Sequence, residues 1–153
     1  MGTHYQGTAA EVMALDTYIK LSRAAEAVNT QINAHLSAYN LTVSQFGVLE
    51  ALYHLGPLQV GQLGEKILRS SGNMTLVIDN LVKRKLVMRQ RRDDDRRCID
   101  IHLTAAGESL MEAIMPTHVT QVVASLAVLD AEEQAQLAAL CRKLGLAQRE
   151  SGG

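Results

Sequence analysis

Near residue 85 the spacing of apolar side chains changes from the period of a helix to the period of a strand. In CIDIHL (residues 98–103) every second residue is apolar, which is the pattern of a strand with one buried face. The stretch LVMRQRR (86–92) is also compatible with a strand, and three aspartates follow it. Aspartate side chains bond to nearby backbone N–H groups in turns. The sequence therefore predicts a β-hairpin with a charged tip.

Apolar residues at helical spacing flank this hairpin on both sides. The predicted helices lie at about 12–40, 41–56, 60–68, 70–85, 104–129 and 131–145. Two of them begin with a capping box, formed by Thr42 with Gln45 and by Asp130 with Glu133. Residues before about 12 are expected to be weakly ordered. The predicted fold class is mostly α-helical with a small β-hairpin.

Composition favours one soluble domain. The chain has 153 residues, of which 47% are hydrophobic, so it can form a core without a metal or a disulfide and is not expected to be disordered. The sequence contains no apolar run of membrane-spanning length and no signal segment. Cys98 and Cys141 do not form a metal or redox pair by spacing. We expect a cytoplasmic protein.

The helices at 60–68 and 70–85 are joined by a tight polar turn, which is the arrangement of a helix-turn-helix. Ser70 or Ser71 is the expected N-cap of the second helix. Its buried stripe is predicted at Met74, Val77, Ile78 and Leu81, and its outward residues at Asn73, Thr75, Leu76, Asn80 and Lys83. Two ordinary packed helices are the alternative interpretation.

Positive charge is concentrated around the hairpin. The formal net charge is −1, yet eight of the 15 lysines and arginines lie between Lys83 and Arg97, beside three aspartates. A solvated loop is one explanation, and a polyanion bound at this face is the other. A helix fits the major groove of DNA and an arginine-bearing hairpin fits the minor groove. A helix-turn-helix followed by such a hairpin is a winged helix, in which the aspartates would hold the arginines in place.

The first and last helices have more apolar surface than a small central unit can cover. A two-fold dimer is the simplest way to bury it. Cys141 lies on the apolar stripe of the last predicted helix, so we expect it to be a small buried residue.

Four segments of the chain resemble the MarR family of bacterial winged-helix regulators. They are LTVSQFGVLEAL, VGQLGEKI, TLVIDNLVKRKLVMR and above all DRR…IHLTAAG, from Asp95 to Gly107. The resemblance covers about residues 15–145 and looks closest to the branch associated with quinone and electrophile stress. It implies a single domain over 1–153, with dimerisation helices at 12–40 and 104–146 and a DNA-binding lobe at 41–103.

The resemblance implies a homodimer that binds a pseudo-palindromic operator in double-stranded DNA and usually represses nearby genes. Small aromatic compounds or oxidants often release such regulators. The residues implied to contact DNA are Ser70, Ser71, Asn73, Thr75, Leu76, Lys83, Arg84, Asp95, Arg96 and Arg97. Arg96 would enter the minor groove, while Asp95 and Arg97 would brace the wing or touch the DNA backbone.

Three positions depart from the family pattern. Leu76 stands where the family often has arginine, and leucine could read only thymine methyl groups or nothing. Lys85 stands where a glycine usually ends the helix, so either its φ is positive or the helix ends differently. Gln59 stands where a threonine often caps the third helix.

Residues for sensing a signal are less sharply indicated. An effector pocket between the DNA-binding lobe and the dimerisation helices would involve the polar or aromatic residues Tyr18, Arg23, His35, Tyr39 and His54, each of which could equally be core or surface. Cys98 is predicted to face solvent beside Arg96 and Arg97, where positive charge would favour its thiolate. It is a candidate electrophile or redox sensor, and a cysteine with no role is the alternative.

Other function classes find little support. The five histidines lack metal-ligand spacing, and the chain carries no motif for a nucleophilic serine, a metalloprotease or a phosphate loop. We therefore expect no metal, no cofactor and no enzyme activity. A winged helix that binds another protein instead of an operator remains as the alternative function.

Overall fold

A computed structural model of the chain describes residues 2–67 and 71–152, and of Ser71 only the backbone. The order of elements within these residues is α1 (Ala9–Asn33), a 3₁₀ segment (Ala34–Tyr39), α2 (Val43–Leu55), β1 (Leu58–Gln59), α3 (Val60–Ile67), α4 (Ser71–Lys83), β2 (Val87–Arg91), β3 (Ile99–Leu103), α5 (Ala105–Leu126) and α6 (Ala131–Ser151). The predicted fold class, mostly helical with a small β-hairpin, is confirmed.

The chain divides into two compact units. A central unit covers residues 33–118, and a terminal unit is made of residues 1–32 and 119–153. The central unit contains the whole predicted lobe of 41–103, together with the 3₁₀ segment and the first part of α5. The roles of the terminal helices in dimerisation stay a prediction.

One hydrophobic core fills the central unit. It contains the predicted inward residues of α4, and its buried members are Leu36, Leu41, Phe46, Val48, Leu49, Leu52, Leu63, Met74, Ile78, Leu81, Leu86, Val87, Ile101, Met111 and Ile114. Burying each large aliphatic side chain stabilises the fold by about 1.5–3 kcal/mol relative to leaving it in water. Helix packing and the hairpin thus depend on one shared set of contacts.

Capping boxes start three helices of the described chain. Those of Thr42 with Gln45 and of Asp130 with Glu133 are both formed, as the sequence predicts. A third box was not predicted: the Thr8 backbone N–H donates to the Glu11 carboxylate, and the Glu11 N–H donates to the Thr8 hydroxyl. The expectation of weak order before about residue 12 is therefore wrong for residues 9–11, because this box starts α1 at Ala9, while residues 2–8 form no helix or strand.

The predicted hairpin is formed, and the sheet has one additional strand. β2 pairs with β3 so that Val87 lies opposite Leu103 and Arg89 opposite Ile101. β1 pairs with the other edge of β3, which makes β3 the central strand of three. Ile101 and Val87 are buried against the core, so the sheet is anchored at the end away from its charged tip.

Lys85 ends α4 with the left-handed backbone that the sequence left as one of two possibilities. Its φ is 60°, and its N–H donates to the Val82 carbonyl while the Leu86 N–H donates to the Leu81 carbonyl. This pair of bonds is a Schellman motif, and buried Leu81 and Leu86 provide its usual apolar contact. A lysine therefore takes the place of glycine without lengthening the helix.

Thr104 and Gly107 join the start of α5 to the end of α4. The Thr104 hydroxyl donates to the Lys85 carbonyl over 2.6 Å and accepts from the Gly107 N–H over 3.1 Å. The Thr104 N–H donates to the Leu86 carbonyl. A Cβ on Gly107 would lie 2.1 Å from that same Leu86 oxygen. The glycine of the Leu-Thr-x-x-Gly sequence is thus required for a steric reason, since only glycine permits the Leu86 carbonyl to come this close.

The terminal unit leaves many large apolar side chains exposed within a single chain. No residue of α1 or α6 is buried, so far as their side chains are described. Cys141 is exposed, as are Leu137, Leu140 and Leu144 on the same helix. The expected burial of Cys141 is therefore not met within one chain. Of the described helices, none alone could cross a membrane, and α5 with α6 reaches that length and composition only as a bent pair.

We predict that Gly107→Ala destabilises the protein by about 1–3 kcal/mol, because the new methyl group would overlap the Leu86 carbonyl. Chemical denaturation followed by circular dichroism would measure the change. Gly145→Ala is the matched control, since it lies within α6 with nothing near its Cβ position and alanine favours a helix. Equal stability of the two variants would contradict the close approach.

Candidate nucleic-acid interface

The outward face of α4 carries three of the residues predicted to contact DNA. Asn73, Thr75 and Leu76 are exposed, while Met74 and Ile78 on the opposite face are fully buried. Ser70 lies outside the described residues, and the side chain of Ser71 does as well. The helix therefore presents a short mixed polar and apolar surface that the central core does not use.

Lys83 and Arg84, at the C-terminal end of α4, differ in their surroundings. Lys83 is exposed. The Arg84 guanidinium donates to the Asn40 carbonyl over 2.7 Å and to the Tyr39 carbonyl over 3.0 Å. These carbonyls end the 3₁₀ segment, where Asn40 has a φ of 52°. Arg84 thus ties α4 to the segment before α2, a contact that the sequence did not predict.

Two aspartates at the tip of the hairpin hold two of its arginines. The Asp94 carboxylate accepts from Arg92 over 2.6 and 2.9 Å. The Asp95 carboxylate accepts from the Arg97 side chain over 3.1 and 3.4 Å and from the Arg97 backbone N–H. These hydrogen bonds lower the pKa of Asp94 and of Asp95 below the ordinary carboxyl value. The tip is thus cross-linked by charge, as the sequence predicts.

Two further arginines are also engaged within the protein. Arg91 donates to the Arg96 carbonyl over 2.8 Å across the tip. Arg89 on β2 pairs with Asp79 on α4 over 2.5 Å, which connects the hairpin to the helix. Within the described residues, the Arg96 guanidinium makes no ion pair or hydrogen bond, and its side chain is exposed. Arg96 is therefore the arginine of the tip that is available to a ligand.

Cys98 lies at the base of the tip in surroundings different from those predicted. The sequence predicts a solvent-facing thiol beside positive charge. The structure half-buries Cys98, and its thiol donates to the Asp95 carboxylate over 3.7 Å. The group facing the sulfur is thus an anion that also holds Arg97, so chemistry at this sulfur would act on the bracing of the tip.

Three polar side chains and one aromatic ring cluster in the central unit. His35 Nε2 lies 3.3 Å from His118 Nδ1, and His118 Nε2 lies 3.4 Å from a Glu50 carboxylate oxygen. The Phe46 ring contacts both imidazoles. No group of three or more potential metal ligands occurs in the part of the chain that the structure describes. The cluster, which the sequence did not predict, is an ordered hydrogen-bonded chain.

Protonation of His35 is disfavoured by this arrangement. If His118 donates to Glu50, its Nδ1 accepts from His35 Nε2, which leaves His35 Nδ1 to take any second proton. His35 Nδ1 is buried, with no hydrogen-bond partner among the described residues. Burial first, and the neighbouring His118 second, lower the pKa of His35 below its ordinary value.

The other residues predicted for an effector pocket divide between the two units. Tyr18 and Arg23 lie on exposed positions of α1 in the terminal unit. In the central unit Tyr39 packs against the core, while His54 is exposed at the end of α2, where its ring meets that of Tyr53. The predicted pocket between lobe and terminal helices stays a prediction.

A family model named "MarR family" matches residues 41–99, which span α2 to the start of β3. Among curated proteins, the transcriptional regulator MhqR of Bacillus subtilis is 35% identical over 132 residues, which are 86% of this chain and 91% of MhqR.

Solved structures agree with this match. AbsC, a MarR family regulator from Streptomyces coelicolor, superposes with a TM-score of 0.82 at 21% identity over 95% of this chain and 99% of AbsC, a similarity of fold alone. NadR in complex with 4-hydroxyphenylacetate has a TM-score of 0.72 at 28% identity over 94% of this chain and 97% of NadR.

We predict that acidification destabilises the central unit through His35. Its pKa is lowered in the folded chain, so the unfolded chain binds more protons. The contribution of neutral His35 to stability is therefore fully present above the pKa of the unfolded chain, about 6.5, and is lost as the pH falls below that pKa.

Denaturant unfolding at about pH 8 and about pH 5.5 would measure this loss of stability. His35→Gln keeps a donor to His118 but cannot titrate, so it should lose less stability on acidification than the wild type. His54→Gln, at an exposed histidine, is the control and should behave as the wild type. The prediction fails if His35→Gln retains the full pH dependence.

Proposed function

The chain belongs to the MarR family of DNA-binding transcriptional regulators, and on that premise we propose that two copies bind a pseudo-palindromic operator and repress the adjacent gene. Its relatives are regulators and not enzymes, which confirms the prediction of no enzyme activity. Repression follows from occupancy, because a protein covering an operator near a promoter excludes polymerase. Such a regulator would act in the cytoplasm.

The exposed face of α4 supports a role in reading the major groove. α4 is the second helix of the helix-turn-helix, and its side chains Asn73, Thr75 and Leu76 point away from the core. A helix of this kind enters the major groove with its N-terminal residues against base edges. Lys83, exposed at the other end of α4, would lie near phosphates.

The single observation that carries the proposal is the state of the arginines at the tip. Arg92 and Arg97 are held by Asp94 and Asp95, while the Arg96 side chain is exposed and its guanidinium has no hydrogen-bond or ion-pair partner among the described residues. A braced tip with one available guanidinium matches the narrow minor groove, whose negative potential attracts arginine. A protein-binding surface would not require two arginines paired with aspartates beside one that is left available.

Exposure of the terminal helices supports a dimer. α1 and α6 bury no described side chain within one chain, and they expose apolar residues that include Met13, Tyr18, Leu140 and Leu144. A two-fold pairing would cover this surface and place two copies of α4 on one DNA face. Half-sites would then lie about 34–36 Å apart, which is one helical turn of DNA.

We propose a small aromatic compound or an electrophile as the releasing signal. NadR, a structural neighbour, has been solved in complex with 4-hydroxyphenylacetate, which supports the aromatic class. Cys98 supports the electrophile class, because a quinone that adds to its sulfur forms a C–S bond and receives the thiol proton. The bond from the thiol to Asp95 would then be lost beside the arginine brace.

We predict that Arg96→Ala weakens operator binding several-fold and lowers its salt dependence, since a dimer loses two cations in the grooves. Gel shifts on the upstream DNA at 50 and 200 mM salt would measure both effects. The wild type should lose about 10³–10⁵ in affinity over that range if it neutralises roughly six to ten phosphates.

Arg149→Ala, at an exposed arginine in the last turn of α6, is the charge-matched control and should bind as the wild type does. Unchanged affinity of Arg96→Ala would remove Arg96 from the interface. Binding of the wild type that ignores both salt and sequence would favour the protein-interaction module over a regulator.

We predict that Cys98→Ser binds the operator normally but is no longer released by benzoquinone, because serine can still donate to Asp95 and does not add to quinones. Fluorescence anisotropy of labelled operator, with and without benzoquinone, would measure release. Cys141→Ser is the control, because Cys141 is the more exposed thiol and lies far along the sequence from the tip. If benzoquinone released Cys98→Ser from the operator at the same concentration as the wild type, Cys98 would be excluded as the sensor.

A further inference from the structure

Leu76 lies on the outward face of α4 without apolar neighbours of the core. Its side chain is 62% exposed, and Val77 and Ile78, which follow it, turn toward the protein. Among the large apolar side chains exposed in the described central unit, Val43, Leu55 and Met88 are each less exposed than Leu76. Leu76 therefore lies outside the hydrophobic core and its packed neighbours, and isolated exposed leucines occur on many proteins. Leu76 is of interest because it lies on α4, the helix proposed to enter the major groove.

The chemistry of the major groove limits what a leucine can recognise. Each base pair presents hydrogen-bond donors and acceptors there, and the one apolar group is the 5-methyl of thymine. Leucine can satisfy no donor or acceptor, so against the edge of guanine, adenine or cytosine it would only displace water. Against a thymine methyl it buries apolar surface on both sides.

We propose that Leu76 is a specificity-determining residue that reads the 5-methyl group of one thymine in each half-site. The proposal rests on the proposed function, because it takes α4 to be the helix in the major groove. Asn73 lies three residues earlier, on the same exposed face of the helix. Leu76 thus shares the surface that would face the bases, where an apolar contact would exclude water from both partners.

Two substitutions separate this role from a structural one. Leu76→Ala removes the apolar contact, and Leu76→Arg supplies a side chain that prefers the O6 and N7 atoms of guanine. Both variants should fold, because the wild-type side chain is mostly exposed. Leu55→Ala is the matched control, since Leu55 is an exposed leucine of the same unit that lies on α2.

The experiment begins with selection of an operator from random duplex DNA by the wild-type protein. Each thymine is then replaced in turn by deoxyuridine, which removes only the 5-methyl group, and the affinity is measured. One replacement per half-site should weaken the wild type and Leu55→Ala by about fourfold, the value of one buried methyl group. The same replacement should leave the affinity of Leu76→Ala unchanged. Selection with Leu76→Arg should yield guanine at that position.

Two results would overturn the proposal. The first is the absence of a methyl effect that depends on Leu76: either no deoxyuridine replacement lowers the affinity of the wild type, or each lowers the affinity of Leu76→Ala equally. This result would leave operator binding itself intact. The second is a selection that enriches no sequence at all, which would overturn the proposed function and this assignment together. A methyl effect seen only with Leu76 present, and a change to guanine in Leu76→Arg, would support it.

Discussion

The close approach of the Leu86 carbonyl to Gly107 fixes the point where α4, β2 and α5 meet. Lys85 turns the chain out of α4 with a positive φ, and the Thr104 hydroxyl bonds both its carbonyl and the Gly107 N–H. The end of α4, the start of β2 and the start of α5 are thereby joined at one point. Two of these segments, α4 and β2, carry the surfaces proposed for DNA, so this junction, together with the Arg89–Asp79 ion pair, holds the hairpin against the helix.

Pairing of charges reconciles a near-neutral chain with a polyanionic partner. Asp79, Asp94 and Asp95 each hold one arginine, so most of the positive charge of the hairpin maintains its shape. A tip already held in one conformation loses little entropy on binding, which raises affinity without further contacts. The acidic residues of the hairpin thus favour binding to an anion, because the arginine that they leave available is presented by a rigid support.

The sequence predicts those features whose interacting residues are close along the chain. Helical and strand periods and the Thr42 cap depend on neighbours within a few residues, and all are confirmed. Arg84 and Asn40 are separated by 44 residues, and His35 and His118 by 83, so their contacts appear only when the core has brought the segments together. β1 has two residues, which is too short to show any period. The outward direction of Leu76 was predictable, because the buried stripe of α4 determines it.

In the proposed DNA interface, affinity and sequence preference would be carried by different chemistry. A cation near DNA attracts every duplex through the phosphates, so it raises specific and non-specific binding together. Leu76 attracts no phosphate, and an apolar contact gains free energy only where a methyl group meets it. In the proposed role, Leu76 would therefore improve the ratio of operator to genomic binding while adding nothing to general affinity. If Arg96 supplies attraction from the hairpin, as proposed, the helix is left to discriminate among sequences, and the two functions can change independently.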